Sequence, residues 1–554
     1  MEEDSIIYVD ADATDGEETG ESWADAYTDL QDALEVAGAS DQIWVAEGTY
    51  VPTSTIDREI SFVINNGVQV YGGFVGNEVA LSQRDIVENE TILSGNIGAD
   101  TQADNSYHII NIDGSPSGTL IDGFTISEGQ ADFELFSSAA FDNGGAIVAV
   151  NSASATLSNL IIEDNFAVDN GGAVYIGGGS DLAIDSVVFS NNSSSANGGA
   201  IYIGGGSSFE LLNSLFVENQ ALDGGGIFTS VDTLNLIGNT FYGNDAGANS
   251  DDIRDSSGSF SNNRTITNNI FADGERIDSL KFFFDFGEDA EAINVSNNIL
   301  TGTGQFSRFG ATDIIELGDD AAEDNIFDEE PIFADVDEGD FRLRLNSPGV
   351  DEGNEDFLVD EDTDLVGNPR IYGDTVDIGA YEYGLYLDIE DARLLEGDEE
   401  NRRMRFNVTL SDSLDLAPND EVTVRYTTVD RNAKDEQDYT GVDGTLTFDA
   451  ETDTLPIFVP IIGDTRPEVS ENFFVNLSGA TGGAVINDGQ AQGTIVNDDQ
   501  LPVGVESDRF FAPDVDASFY TPTAAERADI LAIIPELELA GADGLAFLFE
   551  PGAS

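Results

Sequence analysis

The sequence predicts an all-β protein in which a long parallel β-helix is followed by a β-sandwich. Three observations carry this. Gly144-Gly145 recurs at Gly171-Gly172, Gly198-Gly199 and Gly225-Gly226, a fixed step of 27 residues. The repeated unit consists of short β-branched and aromatic runs separated by turn glycines, with no helical period. Beyond residue 385 the apolar/polar alternation lengthens into strands with turn signals between them, the pattern of a sandwich.

The repeat holds at several positions at once. Asn165, Asn192 and Asn219 are in phase, as are Leu157, Ile184 and Leu211, and Ile162, Phe189 and Phe216. Asn143, Asn170 and Asn197 precede the glycines. A coil of this length, built from short strands, stacks on its neighbours and forms ladders of like residues. The glycine pairs permit positive φ or close backbone approach, and the asparagines are turn formers able to ladder their amides. Asn-Gly-Gly is no phosphate cradle, because it repeats in every coil and lacks a following helix and lysine.

The Asn-Gly-Gly-Ala-Ile/Val and Phe-x-x-Asn pattern of residues 140–250 resembles the repeat of chlamydial-type polymorphic outer-membrane proteins, which implies a right-handed β-helix of adhesive type. Ile7–Asp10, Ser22–Tyr27, Leu30–Leu34 and Ile43–Tyr50 are similar to the start of secreted pectate-lyase-like proteins, where an amphipathic helix caps the open end of the solenoid. Asp340–Leu343, Ser347–Gly353 and Asp377–Glu382 resemble the closing segment of the same proteins. The right-handed parallel β-helix, with its N-terminal capping helix, is therefore expected over residues 4–384.

Residues 385–500 are identified as an immunoglobulin-like Calx-beta sandwich by Leu395-Glu396-Gly397-Asp398, Asp438-Tyr439, Pro467-Glu468-x-x-Glu471-Asn472-Phe473 and Gly493–Asp499. That resemblance implies calcium, held at one end of the sandwich by Glu396, Asp430, Asp464, Glu468, Glu471, Asp498 and Asp499. Ca²⁺ needs six to eight oxygens, and converging carboxylates repel without it. Two departures stand against the family pattern: Gly463 where many calcium-binding members carry an aspartate, and Gln500 where a third terminal aspartate is common. Residues 501–554 fit neither unit and form an acidic tail with helical character at Ala524–Ile534, ended by Pro535.

Composition narrows the function. The 554 residues carry 108 acidic against 20 basic groups, a formal net charge of −88, yet 40% are hydrophobic, so the acid decorates a folded surface. Only Lys281 and Lys434 are lysines, which resembles salt-adapted proteins. Such charge repels nucleic acid and anionic membranes and disfavours acidic glycans unless cations bridge them. Cysteine is absent, which excludes disulfides and thiolate metal sites. The start, Met1-Glu2-Glu3-Asp4, shows no signal-peptide pattern, and the domain content leads to an extracellular or cell-surface location with the export signal and anchor outside this chain.

A lyase needs a basic residue as base. Arg254 and Arg264 are at hand, but neither sits in a recognisable motif. A glycosidase pair cannot be picked from so many carboxylates. The one histidine, His108, lies in an alternating strand and reads as structural. The expectation is a non-catalytic adhesion or matrix protein whose partner is a glycan or protein of a cell surface or matrix, with self-association as a further mode. Polysaccharide binding or cleavage by the β-helix, and a subunit of an extracellular sheath or filament, are the alternatives.

Overall fold

A computed structural model describes residues 5–498 except 15, 99–101, 134–140, 206–207, 250, 257–262, 273–281, 285–292, 302–305, 309–323, 328, 359–362, 374, 398–401, 412, 414–415, 417–420, 451 and 467–468; beyond 498 it describes only the strands Asp508–Ala512, Ala517–Thr521 and Glu538–Ala540. The chain divides into two compact units, Met1–Gly384 and Leu385–Ser554.

The first unit is a solenoid of parallel strands. One sheet stacks Phe62–Val63, Ile110–Asp113, Ile147–Val150, Val174–Ile176, Ile201–Ile203, Ile227–Thr229 and Ile253–Asp255. A short sheet stacks Gln130–Ala131, Phe166–Ala167, Ser193–Ser194, Gln220–Asp223 and Asp245–Asn249. The longest starts at Ile6–Val9 and includes Ser154–Glu163 and Asp181–Ser190. Register is set by the inward residues. Leu157 pairs with Ile184 and Ile184 with Leu211, and all three are fully buried. A slip of one residue would turn such a row outward, so burial fixes the register.

Repetition also satisfies the polar turns. Asn165 Nδ2 donates to Asn192 Oδ1 (3.1 Å), Asn192 to Asn219 (3.1 Å) and Asn219 to Asn244 (2.9 Å). A second ladder runs Asn239, Asn269, Asn298, Asn325, at 2.9–3.0 Å. Inside, Phe189, Phe216, Phe241 and Phe271 stack with centroids 4.7–4.9 Å apart. The residue before each ladder asparagine lies in the left-handed region, including Asn191 (φ 55°) and Gly243 (φ 66°).

The phase read from sequence needs one correction. The glycine in phase with Gly144, Gly171 and Gly198 is Gly224, not Gly225: all four have φ of 65–69°, and Ile201 pairs with Ile227, a step of 26. Ser193 still pairs with Gln220 but Asn197 bridges to Asp223, so the coil loses its residue in that turn.

The helix Leu30–Val36 begins at Asp29, whose side chain accepts from Gln31 N, and buries Leu30 and Ala33 in the solenoid core. The closing segment does more than end the solenoid. Phe341, Ala380 and Tyr381 pack on Leu215, and Leu343 and Ile378 pack on Ile270 and Ile299, so the segment lies along the outside of the later coils. Ala380 N donates to Thr240 Oγ1 at 3.0 Å. Within the segment, Asp364, Asp377, Glu382 and Arg370 are all buried. Asp377 accepts from Asp351 N and Tyr383 N, and Glu382 from Tyr372 N and Asp377 N. Three buried carboxylates facing one guanidinium are under-compensated, and burial pushes the Asp377 and Glu382 carboxyls well above their ordinary range.

In the second unit one sheet has the order Thr454–Ile461, Arg402–Leu410, Tyr386–Ile389, Val485–Ile486. The other has the order Ala392–Leu395, Gln490–Val496, Glu471–Ser478, Val422–Asp430, Asp443–Phe448. Alternation does the folding: Met404, Phe406, Val408, Val424, Val459, Phe473 and Val475 are buried between the sheets. The strands Asp508–Ala512, Ala517–Thr521 and Glu538–Ala540 form an antiparallel sheet in the segment read as a tail, and the helix expected at 524–534 lies outside the described residues.

Candidate metal centre

Strand direction brings the expected carboxylates to one end of the sandwich. Leu395 pairs in parallel with Val496, so Glu396 and Asp498 leave their strands side by side. Glu471 pairs with Ile495 and Asp430 with Phe473, which adds both to that end of the five-stranded sheet. Asp464 follows the strand Thr454–Ile461 of the opposite sheet. Glu468 and Asp499 lie outside the described residues.

Two contacts join these loops. Gly397 N donates to Asp498 Oδ1 at 2.8 Å. A Cβ on Gly463 would stand 2.0 Å from the Gly397 carbonyl oxygen, so the loop before Asp464 lies directly on the Glu396–Gly397 turn. This gives a physical reason for the first departure from the family pattern: an aspartate at 463 has no room unless that turn moves.

The carboxylates differ in environment. Glu396 is buried and its amide donates to Val496 O at 2.9 Å. Asp430 is exposed, and its Oδ1 accepts from the Tyr439 hydroxyl (2.8 Å) and the Asp435 amide (2.9 Å). The Tyr439 hydrogen bond foremost, then the Asp435 amide, holds its carboxyl below the ordinary range. Asp464 Oδ1 accepts from Arg466 N at 2.6 Å. In Asp430, Asp464 and Asp498 one oxygen is thus taken by a phenol or main-chain donor, and the other is uncommitted among the described residues. The donor set is hard oxygen, which fits Ca²⁺ rather than a soft or imidazole-seeking metal. Among the described residues no three carboxylates stand close enough to hold an ion. The described part of the site is therefore a convergence of loops and not a closed cage.

Two contributors were not read from the sequence. Tyr439, noted there only as part of a motif, stacks on Phe473 at 4.2 Å and so presents a fixed donor to Asp430. Arg402 lies against Gly397, and its Nη1 donates to Leu395 O at 2.9 Å, which puts a positive charge beside the buried Glu396 turn. Its only sequence signal is the crowding of Arg402, Arg403 and Arg405 in a chain so poor in basic residues.

In the solenoid the residues considered for catalysis are structurally engaged. His108 is buried, with Nδ1 2.9 Å from Gly144 O and its ring stacked near Phe141. Arg264 is fully buried; its Nε donates to Asp255 Oδ2 at 2.7 Å and its Nη2 to Val231 O at 2.9 Å. Arg254 lies 3.6 Å from Asp223. No described helix is long and apolar enough to cross a membrane.

Residues 145–314 match the family model of the right-handed β-helix region, and residues 390–499 match that of the Calx-beta domain. None of the curated proteins matches the chain. Among solved structures, the apo-form Calx CBD1 domain is 20% identical over 21% of this chain and all of its own length, with a TM-score of 0.19. CBD12 from CALX1.2 is 20% identical over 21% of this chain, which spans 46% of that structure, with a TM-score of 0.19. A rhamnogalacturonan lyase is 14% identical over 62% of this chain and 93% of its own length, with a TM-score of 0.35.

Proposed function

We propose that this protein, a right-handed parallel β-helix joined to a Calx-beta sandwich, is a non-catalytic adhesion or matrix component of the cell exterior whose sandwich binds calcium. The observation that carries the reading is the convergence, at one end of the sandwich, of the segments that bear Glu396, Asp464, Glu471 and Asp498, joined by the Gly397–Asp498 hydrogen bond and the packing of Gly463 on Gly397. Binding there takes loop closure. The ion draws in the uncommitted oxygens of Asp464 and Asp498 with Glu396 and Glu471, and Asp430, Glu468 and Asp499 are the further ligands that the family resemblance implies. Before binding, Arg402 offsets part of the charge of that turn.

The solenoid's part is display. Its buried in-phase ladders hold a regular stack of coils in a strongly acidic chain, and the burial of Arg264 and His108 leaves neither poised as an exposed base for polysaccharide cleavage. Attachment to matrix- or glycan-coated beads tests the reading. Attachment that needs calcium, falls on chelation, and releases no unsaturated or reducing sugar ends supports it. Turnover of a polysaccharide would move the assignment to the lyase or glycosidase alternative.

A further inference from the structure

We infer that the outer face of the strand pair Arg402–Leu410 and Thr454–Ile461, at its Arg403–Arg405 end, is a docking surface for a carboxylated polysaccharide, a site separate from the calcium loops. The strand Arg402–Leu410 buries Met404 and Phe406 and turns Arg403 and Arg405 outward, both exposed. On the neighbouring edge strand Pro460 pairs with Arg403 and Phe458 pairs with Arg405. Phe458 is 47% exposed, although β-strands commonly bury such a ring. Among the described residues neither Arg403 nor Arg405 has an ion-pair partner, in a chain where acidic groups outnumber basic ones 108 to 20. Two unpaired guanidinium groups about 7 Å apart along one strand, beside an exposed ring and a proline, therefore form a local reversal of the chain's charge.

The occupant follows from the mixture. Guanidinium forks select carboxylates. A second copy of this chain would bring carboxylates to the arginines, but its exposed apolar side chains, such as Val79 and Val87, are not set at a regular spacing beside them for Phe458 and Pro460 to meet. A uronate chain offers both in every residue: a carboxylate, and a C–H face that packs on an aromatic ring. The overall charge of −88 opposes the approach of a polyanion at long range. At about 1 M salt the Debye length shrinks to about 3 Å, and the contact pairs then outlast that repulsion.

The test is calorimetric titration of the full chain with polygalacturonate oligomers, at about 1 M salt and with chelator present so that calcium neither bridges nor fills its own site. The expected result is saturable binding that Arg403→Gln/Arg405→Gln weakens roughly tenfold or more. Phe458→Ser weakens it too, Arg425→Gln on the other sheet leaves it unchanged, and neutral cello-oligomers do not bind. All four substituted side chains are solvent-exposed, and equal melting temperatures verify the fold. No binding by the wild type, or equal binding by the double variant, overturns the inference. So does concentration-dependent self-association that the double variant abolishes without uronate binding, which gives the face to a second copy. Because calcium is chelated throughout, failure here leaves the calcium reading standing, and the reverse also holds.

Discussion

The solenoid and the loop end of the sandwich satisfy their polar groups in opposite ways. In the solenoid each coil repeats the solution of the last: Asn192 donates to Asn219 as Asn165 donates to Asn192, and Phe216 stacks on Phe189 and on Phe241. In the sandwich the polar solutions at the loop end are single and unlike: Asp430 on Tyr439, Asp498 on Gly397, Arg402 on Leu395. Repetition gives stability that is local and shared among neighbours. A convergence of unlike loops gives a place whose stability an added ligand can change.

The comparison breaks most sharply in the solenoid core. Phe216→Ala should cost about 3–5 kcal/mol in chemical denaturation of the solenoid, with the sandwich transition unmoved. A loss in both would show that the two units unfold together. Next, Asn219→Ala removes donors and acceptors from a fully buried ladder, at about 1–3 kcal/mol for each group left unpaired. Hydrogen exchange should then rise in the coils of Asn192 and Asn244 and not in remote ones.

A smaller effect sharpens the difference by pH. The Asp377 and Glu382 carboxyls are raised in the folded closing segment, so folding favours their protonated forms. That stability is full below the unfolded-state carboxylate range and is lost as pH rises through the higher folded values. Raising pH from about 6 to about 10 should therefore loosen the segment progressively. Amide exchange around Tyr372–Tyr383 measures this, and Glu382→Gln should flatten the dependence. An unchanged slope in that variant would remove the cluster as its cause. Least in size, Tyr439→Phe should return the Asp430 carboxyl toward its ordinary range, read by carboxylate NMR titration. A titration that does not move would put the lowering on the Asp435 amide.

The ladder of Asn165, Asn192 and Asn219 was legible because its members share one spacing. Its continuation to Asn244, and the second ladder through Asn239, Asn269, Asn298 and Asn325, were not, because coil lengths there vary while strand register is kept by burial. The course of the closing segment along the outside of the coils rests on contacts such as Ala380 with Thr240, too distant in sequence for any local pattern to show. For the site, the family motifs named the loops. They said nothing of Tyr439 as the donor that fixes Asp430, of Arg402 beside the Glu396 turn, or of why position 463 is glycine. Each of these depends on a close approach between segments and not on a residue's own neighbours.

The central claim is that the loop end of the sandwich takes calcium, and calorimetric titration of the chelator-stripped full chain tests it most directly, with Glu396→Gln and Asp498→Asn alongside. The account predicts saturable binding in roughly the 10⁻⁴–10⁻³ M range of extracellular modules, a rise in the sandwich melting temperature, and weakening of both in each variant. No heat and an unmoved melting temperature in the wild type would contradict it.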